Sequence, residues 1–275
     1  MKIIKWMAVF TAAVMLFSAA ALAVILYRLP PVAGLVDPEF NLTIQAQDWQ
    51  GSFHPFVVGP KNPWWIPAAR IPPVMKRAVI IAEDADFYRH KGIDLPAVKE
   101  AISYNLAQRH FARGASTITQ QTAKNLFLTR ERTLLRKIKE LYLARRMEQY
   151  LSKDRILELY LNCVELGPEV YGIGHGARYY FARSAGTLSP RQCTFLAAIL
   201  PGPQKIYNPY RNLGRVLKRS DTILRQLRQE GTLSEAEYRH ALAEIPDISG
   251  MQKKVDKSFS SKVKRFFKGL FDIFR

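Results

Sequence analysis

Residues 113–125 read RGASTITQQTAKN, a run that combines a helix start with a polar helix face. The hydroxyl of Ser116 or Thr117 can cap a helix, because it accepts a hydrogen bond from an otherwise unpaired backbone N–H group. Thr117, Gln121 and Lys124 stand at i, i+4 and i+7, which places them on one face. This pattern is compatible with a solvated helix surface or with a binding surface that carries a cation.

Three further polar runs accompany this one in the chain. They are EDADFYRHKG at 83–92, RKIKE at 136–140 and ILELYLN at 156–162. With residues 114–125 and in this order, they resemble the EDxxFxxHxG, GxSTIxQQxxKN, RKxxE and ILExYLN signatures of the peptidoglycan glycosyltransferases, glycosyltransferase family 51. The resemblance covers roughly residues 64–208 and looks closest to the monofunctional biosynthetic members, which lack a penicillin-binding domain.

Helical signals dominate the chain outside its first quarter, so we expect a mainly α fold. Helix starts are predicted at Asp94, Ser152, Ser189 and Ser234, the last two as capping boxes with a glutamine or glutamate three residues later. The glycine-rich stretch 167–176 predicts a break between helices. The resemblance adds the expectation of a lysozyme-like helical lobe beside a smaller membrane-proximal lobe.

An apolar run of twenty residues, Met7 to Leu26, matches the thickness of a bilayer core. A cleaved signal peptide is the alternative, but the run is long and the following YRLPP is a poor cleavage context. Because Lys2 and Lys5 precede the run, we expect a single-pass anchor with a cytoplasmic N-terminus. The resemblance places the catalytic domain outside the bacterial cytoplasmic (inner) membrane, on the periplasmic or extracellular side.

We predict four segments in the chain. Residues 1–28 form a cytoplasmic stub and transmembrane anchor, and the proline-rich residues 29–63 form a linker and loop with one short strand near 56–58. Residues 64–250 form the catalytic domain. Residues 251–275 form a basic amphipathic tail, which we expect to lie in a membrane interface, with packing against the domain as the alternative.

The formal net charge of +18 indicates either nucleic acid or an anionic membrane as a partner. No zinc-ligand spacing, RNA-binding signature or DNA-reading basic helix is present, so the sequence favours the membrane and no nucleic acid. Cys163 and Cys193 are too few for a disulfide framework. Two buried thiols are expected, with a single bridge as the alternative.

Glycosyl transfer requires a base and a second charged group, and Glu83 and Glu140 are the candidate carboxylates. The neighbouring charge of Asp84 is expected to raise the pKa of Glu83 towards that of a useful base. Glu140 lies three residues after Lys137, so the two side chains share a helix face, as they also would in an ordinary surface salt bridge.

The resemblance assigns roles to these residues. By this resemblance, Glu83 would take the proton from the 4-hydroxyl of the acceptor lipid II, and Glu140 would help to hold the donor or its metal. The donor leaves as polyprenyl pyrophosphate, which cations would clamp. The predicted substrate-binding residues are Asp84, Phe87, His90, Gly114, Ser116, Thr117, Gln121, Lys124, Asn125, Arg132, Arg136 and Lys137. Packing is the alternative role for Phe87, and structural hydrogen bonding is the alternative role for His90.

The metal ligands are unknown. No second histidine lies at ligand spacing from His90, which disfavours a metal role for it. A divalent cation, Mg²⁺ in particular, is expected to help neutralise the pyrophosphate. The expected partners are lipid II, the nascent glycan strand, the membrane and other cell-wall synthesis proteins.

The stretch 166–177 departs from the family pattern. Pro168, Glu169 and Val170 replace short polar and glycine residues, and GHG at 174–176 stands where an acid and alanine are usual.

The sequence leaves three candidate functions: a membrane-anchored polymerase of lipid II that inverts the anomeric centre, a lytic transglycosylase or lysozyme-like hydrolase, and a non-catalytic cell-wall scaffold. The motifs favour the polymerase, because hydrolysis of soluble glycan needs no pyrophosphate clamp.

Overall fold

The computed structural model describes residues 2–47, 52–108, 114–129, 131, 133–204, 206–246 and 248. Its helices are α1 (Lys2–Tyr27), α2 (Pro73–Glu83), α3 (Leu95–Gln108), α4 (Ile118–Phe127), α5 (Leu134–Tyr150), α6 (Lys153–Cys163), α7 (Gly172–Phe181), α8 (Pro190–Ile199), α9 (Pro209–Gln229) and α10 (Glu235–Ala243). Two antiparallel hairpins pair β1 (Leu42–Gln47) with β2 (Phe53–Val58) and β3 (Glu165–Gly167) with β4 (Val170–Tyr171). The prediction of a mainly helical chain is confirmed.

Helix α1 is long and apolar enough to cross a membrane over Ile4–Tyr27. Large apolar side chains along it, including those of Trp6, Phe10 and Phe17, are exposed instead of packed against the rest of the chain. Its length and composition are those expected of a membrane span.

Residues 29–63, predicted as linker with one short strand, contain both strands of the first hairpin and pack against the helices. Val32, Leu35 and Val58 are buried in the main core. Arg155 of α6 joins this segment to the domain, since it donates to the carbonyls of Leu35 at 2.9 Å and Asp37 at 2.8 Å. The segment is therefore part of the folded unit.

Helices α6 and α8 form the centre of the core. Along α6 every residue from Ile156 to Cys163 is buried, and α8 is buried from Arg191 to Ile199. Tyr160 of α6 and Phe195 of α8 are among the largest side chains that are fully enclosed. Both helices are buried on nearly every side, and the polar side chains that they bury are hydrogen-bonded, as Asn162 is to the backbone of Ile66.

The predicted helix starts are confirmed. The Asp94 carboxylate accepts from the Ala97 N–H at 2.9 Å, Ser152 caps α6, and both capping boxes are present at Ser189 and Ser234. Thr117, one of the two candidates, caps α4. The break predicted for 167–176 is wrong in its second half, because α7 begins at Gly172.

Both cysteines, Cys163 and Cys193, are buried free thiols, as predicted. Burial raises the pKa of each thiol to about 12, so both stay protonated at neutral pH. On α3 the apolar side chains of Leu95, Ile102 and Leu106 are exposed, close in sequence to the polar run 83–92.

Candidate active site

Glu83 is the last residue of α2, and α4 holds its carboxylate in place. Gln121 of α4 donates from Nε2 to Glu83 Oε2 at 2.9 Å. The other end of the same amide accepts from the Tyr160 hydroxyl of α6 at 3.4 Å. Three helices thus fix the orientation of one carboxylate.

The environment of Glu83 raises the pKa of its carboxylate. Burial is the main reason that its pKa is raised, and the charge of Asp84 adds a smaller increase. The Gln121 hydrogen bond and the charges of Arg219 and Lys124 oppose the increase. The predicted direction agrees with the structure, but the leading cause is burial and not the neighbouring acid.

Asp84 serves the fold around this carboxylate. Its Oδ1 lies 2.9 Å from His90 Nε2, and its Oδ2 accepts from the Ile118 N–H, the first residue of α4, at 2.8 Å. His90 Nδ1 accepts from the Gly92 N–H at 3.2 Å, which leaves Nε2 as the donor to Asp84. This arrangement, which we call the Asp84 latch, holds residues 83–92 against the start of α4.

Two more predicted binding residues are enclosed by the chain. Thr117 is buried, and its hydroxyl donates to the Gly92 carbonyl at 2.7 Å, on the same loop as the Asp84 latch. Phe87 is fully buried with Lys153 Nζ 4.4 Å from its ring centre. The prediction that Phe87 contacts substrate is corrected here, because a side chain with no exposed surface can only support the site from beneath.

Glu140 of α5 lies in a cluster of cations. Arg136 and Lys137 each pair with one of its two carboxylate oxygens. Lys137 Nζ also donates to the Gln120 side-chain oxygen at 3.1 Å and to Ser116 Oγ at 3.2 Å, so this cluster joins α5 to the start of α4. With Glu140 only 3% exposed, the arrangement is not a surface salt bridge.

The remaining predicted residues have different surroundings. Lys124 lies on α4, and its charge acts on both Glu83 and Cys163. The side-chain amide of Asn125 lies 4.0 Å from Cys163 Sγ. Gly114 is exposed ahead of α4, and the predicted phosphate ligand Arg132 lies outside the described residues.

Arg219 of α9 is a candidate that the four motifs did not reveal. It donates to the carbonyl of Ala82 at 2.9 Å, directly before Glu83, and its guanidinium lies over the Tyr207 ring at 5.2 Å. Its Nε is buried without a hydrogen-bond partner among the described residues. In the sequence it is one of many basic residues on α9, so no spacing distinguished it.

The carboxylates of the site are occupied by the protein itself. Ligand atoms of Asp84, His90 and Asp94 lie within 4.8 Å of one another, but Asp94 caps α3 and both Asp84 oxygens belong to the Asp84 latch. Glu140 is paired with two cations. Among the described residues these groups do not form a Mg²⁺ cage of free oxygen ligands.

Comparison with known proteins identifies the family of the chain. A family model described as transglycosylase matches residues 53–228, which includes β2 and the part of α9 that carries Arg219. The chain is similar to biosynthetic peptidoglycan transglycosylases from Bdellovibrio bacteriovorus (41% identity over 202 residues, 73% of this chain and 76% of that protein) and Nitrosomonas eutropha (45% over 163 residues, 59% and 66%).

The chain is also 37% identical to Escherichia coli penicillin-binding protein 1A over 243 residues, which make up 86% of this chain and 28% of that protein. A crystal structure of penicillin-binding protein 1A from Haemophilus influenzae aligns with 83% of this chain and 25% of its own, at 21% identity and a TM-score of 0.41. The family match spans most of the helical domain, and the chain belongs to the transglycosylase family of glycosyl-transferring enzymes.

Proposed function

We propose that the chain is a membrane-anchored peptidoglycan glycosyltransferase that polymerises lipid II into glycan strands and releases polyprenyl pyrophosphate. The observation that carries the proposal is the environment of Glu83: a largely enclosed carboxylate of raised pKa, oriented by Gln121 and flanked by the charges of Lys124 and Arg219. A base is most useful when its pKa lies near the working pH.

In the proposed reaction Glu83 takes the proton from the 4-hydroxyl of the acceptor sugar. That oxygen attacks the anomeric carbon of the donor, the bond from this carbon to the pyrophosphate breaks, and the anomeric centre is inverted. Gln121 keeps the carboxylate pointed at one place while α4 and α6 remain packed. Removing water from the carboxylate raises its affinity for the proton.

The leaving pyrophosphate needs positive charge, and two pairs of basic side chains would supply it. Lys124 and Arg219 lie near Glu83, and Arg136 and Lys137 lie near the start of α4. Glu140 would act mainly by holding these two side chains in position, since both of its oxygens are paired. Arginine and lysine hydrogen bonds to phosphate are charge-assisted and hence strong.

A divalent cation, Mg²⁺ in particular, would neutralise the phosphates from the substrate side, held by phosphate oxygens and water. The described side chains form no open carboxylate cage, so the ion would be held chiefly by the substrate's phosphate oxygens and by water. The predicted contact of Ser116, Thr117 and Asn125 with substrate oxygens also remains a proposal, and Thr117 would have to give up its bond to Gly92 to take part.

The substrate lipid would reach the site from the membrane that holds α1, with the N-terminus in the cytoplasm. The exposed apolar side chains Leu95, Ile102 and Leu106 of α3 and Leu134 of α5 support this, since they would contact lipid at the edge of the site. Partners among other cell-wall synthesis proteins are also proposed. The tail 251–275, with its predicted membrane contact, lies outside the described residues.

The test is to incubate the purified full chain with labelled lipid II and Mg²⁺, and separately with preformed glycan strands. The proposal expects long strands from lipid II and unchanged preformed strands. Shortening of the preformed strands would identify a lytic enzyme instead. No turnover of either substrate, by protein that is folded and inserted, would leave the non-catalytic scaffold.

A further inference from the structure

A second pocket lies away from the candidate active site, where the loop before α2 meets α7. Its volume is about 430 Å³, within the range of small-ligand sites. The residues that line it include Trp64, Arg70, Gly174, Arg178 and Arg183. We call it the Trp64 pocket. It shares no lining residue with the site around Glu83.

Helix α6 separates the two sites. On one side Tyr160 reaches Gln121 of the candidate active site. On the other, Asn162 binds both the N–H and the carbonyl of Ile66, at 2.8 and 2.9 Å, and Glu158 accepts from the Ala68 N–H at 2.8 Å. The backbone that carries the Trp64 pocket is therefore rigidly attached to α6.

Two residues of the stretch that departs from the family pattern, Gly174 and His175, contact Trp64 at this pocket. At Gly174 an added Cβ would lie 2.0 Å from the Trp64 carbonyl oxygen, so only glycine allows the loop to approach α7 this closely. The next residue, His175, stacks on the Trp64 ring at 5.3 Å and an interplanar angle of 11°.

The charge of the pocket is all of one sign. Arg70, Arg178 and Arg183 line it and are exposed, and none of its lining residues is acidic. Arg178 donates to the carbonyl of Ala182 at 3.1 Å. Across the part of the chain that the structure describes, the guanidinium groups of Arg70 and Arg183 have no hydrogen-bond or ion-pair partner.

The aromatic wall gives this pocket a second kind of contact. His175 covers one face of Trp64, yet 39% of the tryptophan remains exposed. A flat apolar surface beside hydrogen-bonding groups suits a sugar ring, whose C–H face packs on the indole. Arginines bind carboxylates through paired, charge-assisted hydrogen bonds. The volume is large enough for a sugar together with an acidic substituent, whereas an isolated anion would leave it mostly unfilled.

We propose that the Trp64 pocket binds the acidic glycan product, with Trp64 stacked on a sugar ring and the arginines paired with carboxylates of the sugar or its peptide. This rests on the proposed function, because it takes the growing strand as the ligand. A strand bound there would stay attached to the enzyme by contacts that do not involve the reacting groups.

The experiment measures the affinity of the full chain, in detergent, for fluorescent uncross-linked glycan strands that carry their stem peptides. The test variant is Arg70→Gln with Arg183→Gln, and the matched control is Lys218→Gln with Arg225→Gln, which removes the same charge from exposed positions on α9. We expect the pocket variant to bind strands at least about tenfold more weakly, and the control to stay within about twofold of wild type.

Two further binding measurements, one with chemically modified strands and one with a competing anion, identify the ligand. Strands whose carboxylates have been amidated should bind wild type as weakly as untreated strands bind the pocket variant, and inorganic phosphate should not displace the strands. Equal affinities for the pocket variant and the control would overturn the proposal. So would full affinity for amidated strands, or complete displacement by inorganic phosphate, which would indicate a simple anion site.

Initial rates with lipid II keep this proposal separate from the proposed function. The pocket variant should polymerise lipid II at the wild-type initial rate, because neither arginine lies at Glu83. If wild type shows no polymerisation, the proposed function fails, while the affinity for preformed strands still decides whether the Trp64 pocket binds them.

Discussion

Gln121 connects the buried core to Glu83 through a single side-chain amide, which accepts from the Tyr160 hydroxyl and donates to the Glu83 carboxylate. The orientation of the carboxylate is thus coupled to the packing of α4 on α6. The amide donates to the ionised carboxylate and therefore lowers the pKa of Glu83, but burial raises that pKa by more. The properties of Glu83 give the first two predictions.

Glu83→Gln should abolish polymerisation while the protein still folds and inserts. The substitution keeps the size of the side chain and a hydrogen-bonding oxygen for Gln121 but removes the base, so we expect a loss of at least about 10²-fold in turnover of lipid II. Circular dichroism and membrane fractionation check folding and insertion. Turnover close to that of wild type would reject Glu83 as the base.

The same variant should change how stability depends on pH. Because the folded protein raises the pKa of Glu83, the unfolded chain ionises first, and wild type loses stability as pH rises from the unfolded value of 4.5 through the raised folded value. Glu83→Gln lacks this loss. Its Tm relative to wild type should therefore rise across that window and remain constant above it, as measured by thermal melts between pH 4 and 8. A constant difference at all pH values would contradict the raised pKa.

Lys137→Ala and Glu140→Gln should each reduce turnover of lipid II strongly. Lys137→Arg should also fall below the wild-type rate, because a planar guanidinium does not replace a compact ammonium between Gln120, Ser116 and Glu140. Glu140→Gln should also lower the free energy of unfolding, by roughly 1–3 kcal/mol, since it leaves two cations without their buried partner. Kinetics with lipid II and urea unfolding measure the two effects, and Lys139→Ala on the same helix is the control. Wild-type rates in all three variants would show that the cluster has only a structural role.

Asp84→Asn should open the Asp84 latch. An asparagine side chain has one accepting oxygen, so it cannot accept from both the Ile118 N–H and His90. We expect a loss of about 1–3 kcal/mol in the free energy of unfolding and faster amide hydrogen exchange over residues 84–92. The exposed neighbour Asp86→Asn serves as control, and equal exchange in both variants would mean that the latch contributes nothing to local order.

Gly174→Ala should destabilise the protein by about 1–3 kcal/mol, because the new Cβ would lie 2.0 Å from a backbone oxygen that cannot move alone. Gly34→Ala is the matched control, since a Cβ at that position meets nothing within 4 Å. Urea unfolding of both variants gives the comparison. Equal stability would show that the loop before α2 moves away from α7 at little cost.

Local signals in the sequence were sufficient to predict much of the helical frame. A cap depends on residues three apart, so Asp94, Ser152, Ser189 and Ser234 could be assigned without knowledge of the fold. The hairpin of β1 and β2 was predicted only as one short strand. Its β2 contains Pro55, which weakens a strand signal, and its stability depends on packing against distant helices.

The same limit applies to the candidate site, where local motifs identified some residues but could not predict contacts between distant parts of the chain. The motifs indicated Glu83, Gln121 and Lys137, but they could not show that Phe87 has no exposed surface or that Arg219 reaches the backbone beside Glu83. Those properties arise from contacts between residues far apart in the chain, and Arg219 is 137 residues from its partner Ala82. A sequence pattern that is read locally carries no information about such pairs.

The bonds of Arg155 to Leu35 and Asp37 join positions 120 and 118 residues apart, and this has a consequence for biogenesis. During synthesis α1 leaves the ribosome long before α6 exists, so the segment after it has no docking partner until more than a hundred further residues have emerged. With α1 as the proposed membrane anchor, insertion should precede docking, and the chain would complete its folding already tethered to the bilayer, with the closure of this long loop as a late event.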